Sequence, residues 1–132
     1  MQTRSIDETE PEVMSRPDME GLHIRELINE QTVNSREVTL DIGEIPPGKT
    51  HVLHRHTNCE EVIYVLKGSI QCLSETGTVR LGEGEAMFVE QGEWHGVTND
   101  SDAPTTLLVV YGGAPSLEAA GYELYPGGED ES

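Results

Sequence analysis

Turn signals constrain this chain more than any other feature. Between Arg36 and Tyr111, short apolar runs are interrupted by Pro46-Pro47-Gly48, Lys67-Gly68, Thr76-Gly77, Gly82-Glu83-Gly84 and Gln91-Gly92. Strand-length runs separated by such signals every 8–12 residues or so specify an all-β sandwich or barrel rather than a helical fold. Val38, Leu40 and Ile42 alternate as one face of a strand. Gly21–Glu30 fits two patterns, but its helical stripe of Ile24, Leu27 and Ile28 ends at the polar Gln31 and begins on a β-branched residue, so it is read as a strand. Ser116–Ala120 reads as a single helical turn, with Ser116 as N-cap and Gly121 as the stop.

A chain of 132 residues accommodates one core. Residues 1–20, polar and acidic with Pro11 and Pro17, are expected to form a loose N-terminal arm able to add an edge strand to a partner. The barrel is expected over 21–114. An extension over 115–132 would end in a disordered acidic tail from Pro126.

The chemistry concentrates between Gly48 and Gly68. His54 and His56 are two apart, so on a strand both imidazoles project from one face. Glu61 lies at an odd separation and would face the other way on a continuous strand. Thr57-Asn58-Cys59 is expected to break the strand and let the carboxylate return. Two imidazoles and a carboxylate are a first shell for a divalent transition metal. An H-x-H pair alone is weak grounds, because a surface or core pair of histidines produces the same pattern.

Taken together, two stretches resemble the cupins. The first runs Gly48, five residues, His54, one, His56, four, Glu61, six, Gly68; the second runs Gly84, seven, Gly92, two, His95, three, Asn99. Fifteen residues separate them, as in compact microbial members. One position departs, because Glu90 stands where the family has proline; this bears on loop shape, not on a ligand. The six-residue step to Gly68 selects Glu61 over Glu60, which is expected to be solvated.

The resemblance implies a small antiparallel jelly-roll barrel, with His54, His56, Glu61 and His95 converging on one Mn, Fe, Ni, Zn or Cu ion. An ion preferring six ligands would keep two positions open for water, substrate or oxygen. Relatives of this layout act as dioxygenases, isomerases, decarboxylases or lyases on carboxylate, uronate or enol-type molecules, and others bind sugars or small acids without turnover. Small cupins commonly pair through sheet edges, so a homodimer is expected.

Val52, Ile63 and Val65 share the ligands' face and are expected to line an apolar pocket, although core packing is the plainer role for any one of them. Alternation turns His51 away from the metal, as a surface histidine, and points Arg55 outward into a salt bridge. Trp94 is expected to pack rather than cap the mouth. Cys59 and Cys72 are expected as free thiols. Met87 and Phe88 alternate without showing which points inward. No second acid or base stands out.

Net charge limits the partners. Twenty-five acidic against eight basic residues give −17, a surface that repels nucleic-acid phosphates and anionic membranes. No apolar run reaches membrane-spanning length. The first ten residues lack a signal peptide's apolar stretch, so cytoplasmic residence is the default expectation. Adaptation to a salty interior would account for the charge, because added salt screens self-repulsion. The melting temperature is then expected to rise with KCl, and a flat or falling curve would count against that adaptation.

Overall fold

The computed structural model describes residues 1–126. Its strands are β1 (Glu12–Val13), β2 (His23–Ile28), β3 (Val38–Ile45), β4 (Thr50–Arg55), β5 (Glu60–Lys67), β6 (Ser69–Ser74), β7 (Gly77–Gly82), β8 (Ala86–Val89), β9 (His95–Thr98), β10 (Thr105–Gly112) and β11 (Glu123–Leu124). One sheet runs β1-β2-β3-β10-β5-β8 and the other β11-β4-β9-β6-β7. Every pairing between them is antiparallel. Ile63, Val65 and Leu107 from the first sheet pack against Ile70, Cys72, Leu81 and Val97 from the second, giving a jelly-roll core.

The turns explain the motif glycines. Gly68 joins β5 to β6 at φ 90°, and a Cβ there would lie 2.7 Å from Thr105 Oγ1, so both conformation and space exclude a side chain. Thr105 Oγ1 donates to the Ser69 carbonyl at 2.7 Å, tying the turn to β10. Asn99 is wholly buried; its amide donates to the Ile45 and Ala103 carbonyls, each at 2.8 Å, and its Oδ1 accepts from Ser101. At Glu90, the one departure from the resembled pattern, the backbone N–H donates to the Glu93 carboxylate at 2.9 Å, a bond proline could not make.

Three expectations change. Residues 1–20 lie along the barrel rather than forming a free arm, and β1 pairs with this chain's own β2. Met14 and Met19 pack on the core, while Arg4 donates to the Leu27 carbonyl and Arg25 to that of Thr9. The acidic composition concealed these apolar anchors. A short helix, α1 (Glu30–Val33), follows β2 and starts in a capping box between Asn29 and Thr32. On β3 the face carrying Val38 and Leu40 lies outward, whereas Thr39, Asp41 and Ile45 are buried, and Ile42 is buried as well.

The single turn over 116–120 is present. Ser116 Oγ accepts from the Ala119 N–H at 2.9 Å, and the Ala120 N–H reaches the Ser116 carbonyl at 3.1 Å. Met87 packs toward the core and Phe88 is exposed. Apart from Pro126, the acidic tail lies outside the described residues. Among those described, no helix is long and apolar enough to cross a membrane.

Candidate metal centre

The centre is built where β4 meets β9. Their register runs from His51↔Val97 to His54↔His95, three steps along β4 for two along β9. The extra residue is a β-bulge, which shifts side-chain alternation by one. His51 and His54 therefore reach the same cavity despite their odd separation. From His54 two more residues bring His56 inward, and β9 supplies His95. The ligand-capable nitrogens of His54, His56 and His95 all lie within 4.8 Å of one another. Beyond the break at Thr57–Cys59, Glu61 opens the inward face of β5, and its Oε1 lies 2.8 Å from His95 Nε2 and 3.5 Å from His56 Nε2. Exposure is 3% at His54, 5% at His56, 4% at Glu61 and 4% at His95.

Each histidine is locked in one tautomer. His54 Nδ1 bonds the Val52 carbonyl at 2.7 Å, His56 Nδ1 that of Gly121 at 2.8 Å, and His95 Nδ1 that of Glu93 at 2.9 Å. A carbonyl only accepts, so in each neutral ring Nδ1 carries the proton and Nε2 presents a lone pair. His56 Nε2, His95 Nε2 and Glu61 Oε1 are buried without any hydrogen bond. Buried lone pairs facing one another are costly unless a cation or a proton lies between them. Second-partner carbonyls that orient imidazoles are also what metal-ligating histidines use. The residues present fit a divalent transition metal.

Charge agrees with this arrangement. Burial drives the His54 pKa well below the usual value, with the neighbouring histidines adding to the effect. Burial also lowers that of His56 despite the Glu61 carboxylate. At His95 burial opposes the charge, but contact with Glu61 raises the pKa overall. Without metal a proton therefore favours His95, and metal binding would displace it.

Around these groups an inner cavity of about 70 Å³ is lined by residues including Ile63, Leu107 and Val109, with Asp41 and Tyr111 among its polar ones. It adjoins an outer cavity of about 490 Å³ walled by Met14, Met19, Leu117 and Tyr122. Of the residues expected to line the pocket, Ile63 does so. Val65 is fully buried in the core. Val52 falls in the bulge, does not line the cavity, and contributes its carbonyl to His54.

His51 is not a surface histidine. Its ring stacks on His54 with centroids 3.8 Å apart, and its Nε2 meets the Tyr122 hydroxyl at 3.1 Å. That hydroxyl donates to Asp18, which Arg16 grips through two bonds at 2.7 and 3.1 Å. The N- and C-terminal segments thus meet beside the centre. Arg55 pairs with Glu123 at 2.6 Å and lies over Trp94, which packs edge-on against Tyr125. Glu60 is exposed, and both cysteines are buried and free. Asp41, Tyr111 and Tyr122 had no motif to mark them; the only sign of Asp41 was a lone acid between Leu40 and Ile42.

Acid titration of the metal-free protein checks this geometry. Burial pushes the His51 pKa down from 6.5 to about 3. A histidine whose folded pKa is depressed contributes stability that is complete above its unfolded value and lost as pH falls toward the folded one. His54 and His56 act in the same sense. The raised values of His95 and Asp41 oppose them, contributing stability at low pH that is lost as pH rises. The melting temperature is expected to fall as pH drops below 6.5 toward about 3. A curve flat down to about pH 4 would contradict burial of these rings.

Comparison with known proteins places these features in context. A family model described as Cupin domain matches residues 41–111. Tetracenomycin polyketide synthase protein TcmJ of Streptomyces glaucescens is 27% identical over 89 residues, 67% of this chain and 60% of that protein, so the match spans under two thirds of its length. The polyketide cyclase RemF from Streptomyces resistomycificus superposes with a TM-score of 0.76 at 28% identity, covering 85% of this chain and 79% of that one. A predicted oxalate decarboxylase from Thermotoga maritima gives 0.74 at 23% identity over 86% and 99%, a likeness of fold alone.

Proposed function

The chain belongs to the cupin domain family, and from that premise we propose that it is a metal-dependent enzyme acting on a small, oxygen-bearing, enolisable molecule. His54, His56, His95 and Glu61 would hold one divalent ion. The observation that carries this reading is the set of buried, unbonded Nε2 and Oε1 atoms facing one another beside an apolar cavity. Similarity to RemF and TcmJ supports a polyketide-like substrate with a largely apolar frame, and the methionine and leucine walls of the outer cavity would suit one.

When bound, the ion supplies Lewis-acid polarisation of a ligand oxygen. The chain does the rest. The three backbone carbonyls fix the imidazoles, so little reorganisation is needed at the moment of reaction. Ile63, Leu107 and Val109 exclude water and hold the apolar frame. Isomerisation, cyclisation, decarboxylation and lyase chemistry all share the step of stabilising an enolate-like oxygen.

The test is elemental analysis of protein purified without affinity metals, followed by turnover assays with polyketones, uronates and keto acids in the presence and absence of oxygen. Metal-dependent turnover without oxygen uptake is expected. Oxygen consumption would move the reading to a dioxygenase. Saturable binding without turnover would support the second reading, a non-catalytic binding cupin. A homodimer paired through sheet edges belongs to the same proposal, supported by the exposed Phe88 on edge strand β8 and Val79 on edge strand β7.

A further inference from the structure

The inward face of the first sheet carries a carboxyl group with no structural partner. Asp41 sits mid-β3 at 3% exposure, and its Oδ1 is buried without a hydrogen bond. It lines the same inner cavity as His54, Glu61 and His95. Its cross-strand neighbours are Glu26 on β2 and Val109 on β10. Two residues along, on the same face, Thr39, Tyr111 and Glu61 form the adjacent row. Asp41 thus stands one row and two strands from Glu61, at the cavity wall rather than among the ligand atoms. A buried acid without a partner destabilises a fold, and no ion pair or cap here accounts for it.

We propose that Asp41 is the proton acceptor for an acidic enol or hydroxyl group of the molecule bound in this cavity. This rests on the reading of the site as a metal centre. The substrate O–H bond breaks, its proton passes to Asp41 Oδ1, and the electron pair stays on the substrate oxygen, leaving an anion that a metal held by His54, His56, Glu61 and His95 would stabilise. In the reverse direction Asp41 returns the proton.

The surroundings suit a group that changes protonation near neutrality. Burial first, then the negative charges of Glu26 and Glu61, raise the Asp41 carboxyl to about 7. The titratable side chain facing it from β10 is Tyr111, whose pKa burial holds far above neutrality. Across the cavity stand His51, His54 and His95, and Glu44 lines the rim from β3 itself. Like-charged Glu26 directly opposite is destabilising when both are ionised, which favours proton uptake by Asp41.

Proton counting tests the assignment without any turnover. The probe is maltol, a flat hydroxy-ketone that chelates metal as its anion. Its binding to zinc-loaded protein is measured calorimetrically at about pH 8 in buffers of different ionisation enthalpy. Wild type is expected to release well under one proton per maltol bound, because the anion bound beside Asp41 raises its carboxyl above the working pH and holds the proton there. Asp41→Asn is expected to keep its zinc and to release about one. Full release by wild type overturns the proposal whatever the variant does, which keeps it testable if the variant fails to fold. Equal release by both proteins overturns it as well, and so does a zinc-loaded protein that does not bind maltol. Failure to take up zinc at all sinks the metal-centre reading and this proposal together, whereas zinc uptake with full proton release sinks only this one.

Discussion

Replacing His54 and His56 together with alanine is expected to take bound divalent metal from about one equivalent per chain to background. Two of the four converging donors disappear, and His95 and Glu61 are left facing each other across 2.8 Å. Loss of an outer partner of a metal ligand alone costs roughly 10–100-fold in affinity, so loss of two direct donors should cost at least about a thousandfold. Neither side chain belongs to the apolar core; His54 lines the inner cavity and His56 the outer one. The β-sheet circular dichroism should therefore persist, separating lost metal from lost fold. Metal retained by the double variant, measured by plasma emission, would refute the assignment.

Gly96→Ala is the second large effect, and it acts through backbone. A Cβ at Gly96 would stand 2.6 Å from the His51 carbonyl oxygen and 3.0 and 3.1 Å from Val52 C and Leu53 N. These are main-chain atoms of the β4 bulge, with no side chain to swing away. Overpacking against movable neighbours costs about 1–3 kcal/mol; against a fixed strand the upper end or more is expected. That corresponds to a fall of roughly 10 °C in Tm for a domain of this size. Because the shift would fall between His51 and His54, metal affinity should drop with stability. An alanine variant that melts like wild type would mean the bulge is not pressed against β9.

How far the sequence could be read followed from the range of each interaction. The β-class and most strand limits are set by neighbours such as Pro46-Pro47-Gly48 and Lys67-Gly68, so local chemistry announced them. His54 and His56 were visible because strand alternation is local, and His95 only because a second spaced motif resembled a known one. The bulge was not visible. It is a mismatch of register between β4 and β9, a property of two strands distant in sequence, and it reversed the expected facing of His51 and Val52. Asp41 was hidden for a related reason: the apolar alternation of Val38, Leu40 and Ile42 marked the opposite face. Residues 1–20 looked solvated because their many acids outweighed Met14 and Met19.

The bond from His56 to the Gly121 carbonyl has a thermodynamic consequence. The segment carrying Gly121 is held to the barrel by discrete ties, among them β11 against β4, Asn58 to the Ala119 carbonyl at 3.1 Å, and the Tyr125 N–H to the Leu53 carbonyl at 3.1 Å. Docking of that segment orients a ligand, so the two equilibria are linked and the coupling is reciprocal. Whatever free energy the docked C-terminal segment adds to metal affinity, bound metal returns to the segment as resistance to local opening. The last strand of the barrel is in this sense a gauge of the centre's occupancy, one that can be read some distance from the ion itself.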